Sequence, residues 1–223
     1  MGGKRLGNTL MAAVLLAAGL GKTGDAAGLD ATLTAPLRIA LHLINRSGVK
    51  ETVLDQAGKD TARIFFNMGV EALIQTGTDR EDQAWASLPA SCHLYVHIIT
   101  MDTINRLGAH PRVTSLGMVL GSAEVDGISV MYVFNDKVDM WLTQKQGISK
   151  TRLLSYAVTH EIGHILLRRD GHSKSGIMQG SWDYRVISDV VSGILTFHER
   201  EAAQIRAAVG ARCLHPENCT DPH

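Results

Sequence analysis

Residues 150–168 read KTRLLSYAVTHEIGHILLR. Leu153, Leu154, Ala157, Val158, Ile162, Ile165 and Leu166 recur there at the three-to-four-residue spacing of a helix with one buried face. Positions four apart share a face of such a helix, so His160 and His164 aim their imidazoles at one point, with Glu161 beside them. This HExxH arrangement is the donor pair of a zinc site together with a carboxylate placed for proton transfer. Catalytic zinc takes three protein ligands and keeps a fourth position open, so one more donor has to come from elsewhere in the chain. His172 is the preferred one, because the Asp170-Gly171 pair before it signals a turn that ends the helix and folds the chain back. Asp170 is an alternative oxygen ligand, although a turn-forming role also accounts for it. Glu199 or Glu201, on a later helix, would supply a carboxylate instead.

Upstream of this helix, residues 37–45 alternate apolar and mixed side chains as a strand does. Residues 49–73 carry Val53, Leu54, Ala57, Ala62, Ile64, Phe65 and Met68 at helical spacing with no proline, which predicts one long amphipathic helix. Residues 92–100 predict a second strand, placed to return beside the first by a crossover. Two more short strands are expected over 116–120 and 128–135, separated by a turn region bounded by Gly121 and Gly127. A last helix is expected over 198–209, capped near Thr196 and ended by Gly210. The layout is α+β, close to α/β: a twisted mixed sheet with a long helix in the N-terminal half, the histidine-bearing helix and a C-terminal helix. No repeat and no linker rich in Pro, Gly or Ser divides it, so one domain over 29–212 is expected, followed by a loose tail over 213–223.

The chain has 223 residues, 45% hydrophobic and 20% charged, which suits a folded domain and excludes a wholly disordered or collagen-like chain. Lys+Arg and Asp+Glu both number 22, so the excess positive charge of a nucleic-acid binder is absent and no nucleic-acid partner is expected. Residues 1–28 read as a secretory signal: Lys4 and Arg5, an apolar run from Leu10 to Leu20, then small residues up to Gly28. That run is shorter than the roughly 20 apolar residues of a spanning helix, so no stable membrane anchor is expected after cleavage. The expected location is extracytoplasmic, secreted or periplasmic, where disulfides persist. Cys213 and Cys219 enclose a short loop and form one candidate pair, and Cys92 with either of them is the competitor.

The run from His160 to Ser173, followed by Gly176-Ile177-Met178, resembles the metzincin metallopeptidases, whose HExxHxxGxxH motif is followed by a methionine turn. It is most similar to their matrixin branch, through HExGH, His172-Ser173 and Ile177-Met178. His172 stands two residues later than in that pattern, and Leu167 takes the place of the helix-ending glycine, with Gly171 following later. The run is also similar to small bacterial secreted proteins that share HExGHxLL, then HSxxGIM and a tryptophan. The resemblance implies a zincin-type domain and a secreted zinc endopeptidase with one catalytic Zn2+ on His160, His164 and His172. It implies Met178 as an apolar floor beneath the metal that does not coordinate it. It also implies an edge strand before the histidine helix, where substrate backbone pairs along Gly117, Met118, Val119 and Leu120. Trp182 and Tyr184 follow the methionine and are candidates for the wall of a cleft.

Zinc held by three neutral imidazoles keeps its full charge and lowers the pKa of its water toward neutrality. Glu161 is then expected to take the water proton and pass it to the leaving amine, hydrolysing a bond in a peptide or protein substrate without a covalent intermediate. Two other readings stay open: a secreted binding protein of the same fold without turnover, and an enzyme whose third ligand is Glu199 or Glu201. His42, His93, His97 and His110 lie on or beside expected strands and are read as packed or surface side chains.

Overall fold

The structure, a computed structural model, describes residues 36–77, 87–106, 108, 117–119, 129–144, 147–168 and 171–214. The signal reading over 1–28, the loop residue Asp170, Leu120, His110 and Cys219 lie outside those residues. In β1 (Arg38–Asn45), Ile39, Leu41 and Leu43 are buried while His42 and Ile44 are half-buried, the alternation of a strand covered more heavily on one face. The same alternation runs through β3 (His93–Ile99), where Leu94, Val96 and Ile98 are buried and His93, Tyr95 and His97 half-buried. With β2 (Glu71–Thr76), β4 (Gly117–Val119) and β5 (Ser129–Phe134) they form one sheet of order β2-β1-β3-β5-β4. The first four in that order pair in parallel, and β4 closes one edge antiparallel to β5.

Six α-helices stand among the described residues: α1 (Glu51–Asn67), α2 (Met101–Arg106), α3 (Asn135–Gln144), α4 (Lys150–Leu167), α5 (Tyr184–Ser192) and α6 (Glu199–Leu214). Leu54, Ala57 and Phe65 of α1, Leu153, Val158 and Ile162 of α4, and Ile205 and Val209 of α6 share one core with the buried faces of β1, β3 and β5. That side of the sheet is therefore the apolar one, and α4 lies over β4 and β5. A small separate cluster of Ile99, Ile104 and Phe134 sits where α2 meets the opposite side. The result is a mixed α/β domain, as the sequence predicts.

Three boundaries differ from expectation. The helix predicted over 49–73 stops at Asn67, turns at Gly69 (φ +85°), and gives way to β2, which takes its register from β1. Glu71 to Thr76 is a short run that periodicity alone does not assign, and the open edge of β1 supplies the partner that makes it a strand. Helices α2, α3 and α5 occupy segments for which no helix was expected. The last helix passes through Gly210 and continues to Leu214, so Cys213 and Leu214 are helical and do not belong to a loose tail. Its end is anchored: Arg212 Nε donates to the Ser91 carbonyl (2.8 Å), Ser91 Oγ donates to the Arg212 carbonyl, and Cys213 is disulfide-bonded to Cys92. The pairing of Cys213 with Cys219 is thus replaced by Cys92–Cys213, with Cα atoms 5.4 Å apart.

Candidate metal centre

Helix α4 begins at Ser149, whose hydroxyl accepts the Arg152 N–H (3.2 Å), an ordinary N-cap. It ends at Arg168, which takes the left-handed conformation (φ 48°) and returns its N–H to the carbonyls of His164 and Ile165. The stop comes one turn after His164, which lets the chain fold back. Between Gly171 and Asp183 the chain forms a tight loop. In it the Ser173 N–H donates to the Met178 carbonyl (2.8 Å) and the Ile177 N–H to the Thr196 carbonyl (3.0 Å).

That loop brings His172 to the two helical histidines. Ring centroids lie 4.8 Å apart for His160 and His164, 5.2 Å for His160 and His172, and 5.0 Å for His164 and His172. One nitrogen from each ring lies within 4.8 Å of the others, so the cluster can hold a metal ion. His160 Nδ1–H donates to the Ile177 carbonyl (2.7 Å), which leaves its Nε2 turned toward the Nε2 of His164, 3.1 Å away. A second hydrogen bond of this kind sets the tautomer and aim of a ligating imidazole. Burial pulls the His160 pKa down to about 4, against the opposing pull of the Ile177 carbonyl, so the ring is neutral, the form a metal binds. The donor set thus fits an ion that prefers imidazole nitrogen. His160 is buried, His164 half-buried and His172 exposed, so the cluster opens to solvent on the His172 side.

Glu161, next to His160, is 5% exposed, and burial alone pushes its carboxyl up to about 8. A cation in the cluster acts in the opposite sense and favours the ionised carboxylate. Met178 is fully buried against α4. A Cβ at position 163 would run into the Met178 sulfur and meet Phe197 at 3.0 Å, so the glycine of HExGH is there for close packing, against a helix cost of about 1 kcal/mol. Gly180 does the same for the third histidine: a Cβ there would come within 2.6 Å of the His172 ring. Nothing in the sequence distinguishes Gly180 from any other loop glycine.

Trp182 is buried, packs edge-on to His160 (6.4 Å) and to Trp141 (6.3 Å), and donates its indole N–H to the Gln179 carbonyl (3.1 Å). It therefore braces a candidate ligand. Tyr184 opens α5 and is 73% exposed. Gly117, Met118 and Val119 form the edge strand β4, beside α4, in register with Val133, Tyr132 and Met131 of β5.

Neither glutamate considered as third ligand belongs to the group of three histidines found among the described residues. Glu199 is exposed and pairs with Arg206 (3.1 Å). Glu201 is buried, and its two oxygens accept the Ser173 hydroxyl and the His198 N–H. His42 and His93 meet on the other side of the sheet. His42 Nδ1–H donates to Gln75 Oε1 (2.7 Å), and His42 Nε2 lies 2.8 Å from His93 Nδ1. No protein-family model matches this chain, and no curated protein matches it, so the geometry of the three histidines is what bears on its activity.

Proposed function

We propose that the protein is an extracytoplasmic zinc-dependent endopeptidase. The observation that carries this reading is the convergence of His160, His164 and His172 beside the buried carboxylate of Glu161. Three imidazoles and an approach open to solvent are the donor set of hydrolytic zinc, and when bound the ion supplies Lewis acidity at the scissile carbonyl. His160, held by the Ile177 carbonyl, and His172, seated over Gly180, orient the donors. Glu161 takes a proton from the attacking water and delivers it to the leaving amine. The edge strand of Gly117, Met118 and Val119, with Leu120 following, accepts an extended peptide by strand addition. Met178 supports the helix through Gly163 and coordinates nothing.

Export rests on the signal-like residues 1–28. No helix among the described residues is long and apolar enough to cross a membrane. The decisive experiment is metal analysis of the purified protein by mass spectrometry, followed by a peptide-library cleavage assay. About one zinc per chain with cleavage of library peptides is the expected result. No zinc in protein prepared without chelators, or full cleavage by a zinc-loaded Glu161→Gln variant, would overturn the proposal.

A further inference from the structure

Glu201 is a buried carboxylate, 4% exposed, that the proposed chemistry does not use. Part of its placement is ordinary. It is the third residue of α6, and Oε2 accepts the His198 N–H (3.1 Å), which is one half of a capping box. A capping glutamate has no need to be buried, and ionised carboxylates are rarely buried unless a second partner holds them. Here the second partner is Ser173, the residue next to His172, whose hydroxyl donates to Oε1.

Two more bonds tie the same segments together. Thr196 accepts the Ile177 N–H (3.0 Å), and Ser175 Oγ and His198 Nε2 hydrogen-bond at 2.8 Å. Ile177 in turn accepts the proton of His160 Nδ1. The start of α6 therefore reaches two members of the histidine cluster, His172 through Ser173 and His160 through Ile177.

We infer that Glu201 is a positioning residue for the metal centre, its buried carboxylate clamping the His172 loop to α6. The inference rests on the metal reading above. The clamp sets where the His172 ring stands before any ion arrives, so less ordering has to be done on binding. Ligand aim thus comes from one side chain outside the ligand set.

The test compares Zn2+ affinity, by competition with a chromogenic chelator, and the visible spectrum of the Co2+-loaded protein. The proteins are the wild type, Glu201→Gln, Ser173→Ala and Val209→Ala. Glu201→Gln replaces one of the two accepting oxygens with an amide donor. Ser173→Ala removes the bridge while leaving the helix cap, so it folds even where the first variant does not. Val209, buried in α6 and outside the clamp, reports what loss of stability alone does. Zn2+ binding about 10- to 100-fold weaker in Glu201→Gln and Ser173→Ala, a changed Co2+ spectrum in both, and wild-type affinity in Val209→Ala are expected. Wild-type affinity and spectrum in both clamp variants, with only the melting temperature lowered, would reduce Glu201 to a helix cap and overturn the inference. A wild type that binds no Zn2+ would instead remove the metal reading itself, and this inference with it.

Discussion

Histidines meet on both sides of the sheet, and the two meetings end differently. Over the apolar side, His160 and His164 descend from one helix at a spacing of four, and His172 arrives from a loop, so the three rings face a common centre. On the other side, His42 of β1 and His93 of β3 are diagonal neighbours on adjacent parallel strands, since His93 stands opposite Ala40. Both nitrogens of His42 are consumed within the sheet, by Gln75 on one side and His93 on the other, with its ring stacked on Tyr95 at 4.4 Å. Proximity is similar in the two places, and what differs is where the lone pairs go. A backbone carbonyl takes the outer proton of His160 and leaves its inner nitrogen facing the cluster, whereas side chains take both nitrogens of His42.

If the contrast holds, its largest consequence is in metal content. His172→Ala is expected to bring bound zinc from about one per chain to near zero, and His93→Ala to leave it unchanged, measured by metal mass spectrometry. Equal loss in both variants would erase the distinction between the two clusters. Next in size, Glu161→Gln is expected to keep its zinc and to lose about 10²- to 10⁴-fold in peptide hydrolysis, the range of general acid-base catalysis. His42→Gln, on the far side, should cleave at the wild-type rate.

A smaller effect lies in packing. Gly163→Ala pushes a methyl group into Met178, and overpacking of about 1–3 kcal/mol outweighs the roughly 1 kcal/mol that alanine contributes to the helix. A lower denaturant midpoint is the expected reading, and a higher one would show that Met178 moves aside freely. The smallest effect concerns acid. Burial lowers the pKa of His42, the Gln75 bond opposes this, and His93 adds to it. A histidine whose folded pKa lies below its unfolded value contributes stability that is present above the usual value of about 6.5 and is lost as pH falls from there toward the folded value. His97, also lowered by burial and by Arg46, acts in the same sense. Denaturant unfolding between pH 7 and 5 should therefore show stability falling with acid, with a shallower slope in His42→Gln. An unchanged slope would show that His42 titrates alike in the folded and unfolded chain.

The helix of His160 and His164 was legible because its signal is local: apolar residues at a helical period and two histidines four apart. Strands β1 and β3 were legible for the same reason, through their alternation. His172 was within reach because a turn signal stood before it. Strand β2 was hidden, since six residues after a helix carry too little period to be told from its continuation until β1 pairs with them. The end of α6 was hidden too. Gly210 is a fair stop signal, and Arg212 and Cys213 override it by bonding to Ser91 and Cys92, more than a hundred residues earlier.

Glu201 shows the limit most clearly. Its side chain and its place on a late helix are readable, and they serve equally for a ligand, a cap or a clamp. The local pattern was enough for the helix, the histidine pair and the carboxylate beside them, because covalent spacing and helical geometry bring those groups together without help. The placement of His172 beside the helical pair, the glycines that make room for Met178 and His172, and the partners of Glu201 were decided by contacts between segments distant in the chain. Those contacts depend on how the whole core packs, which no window of sequence contains.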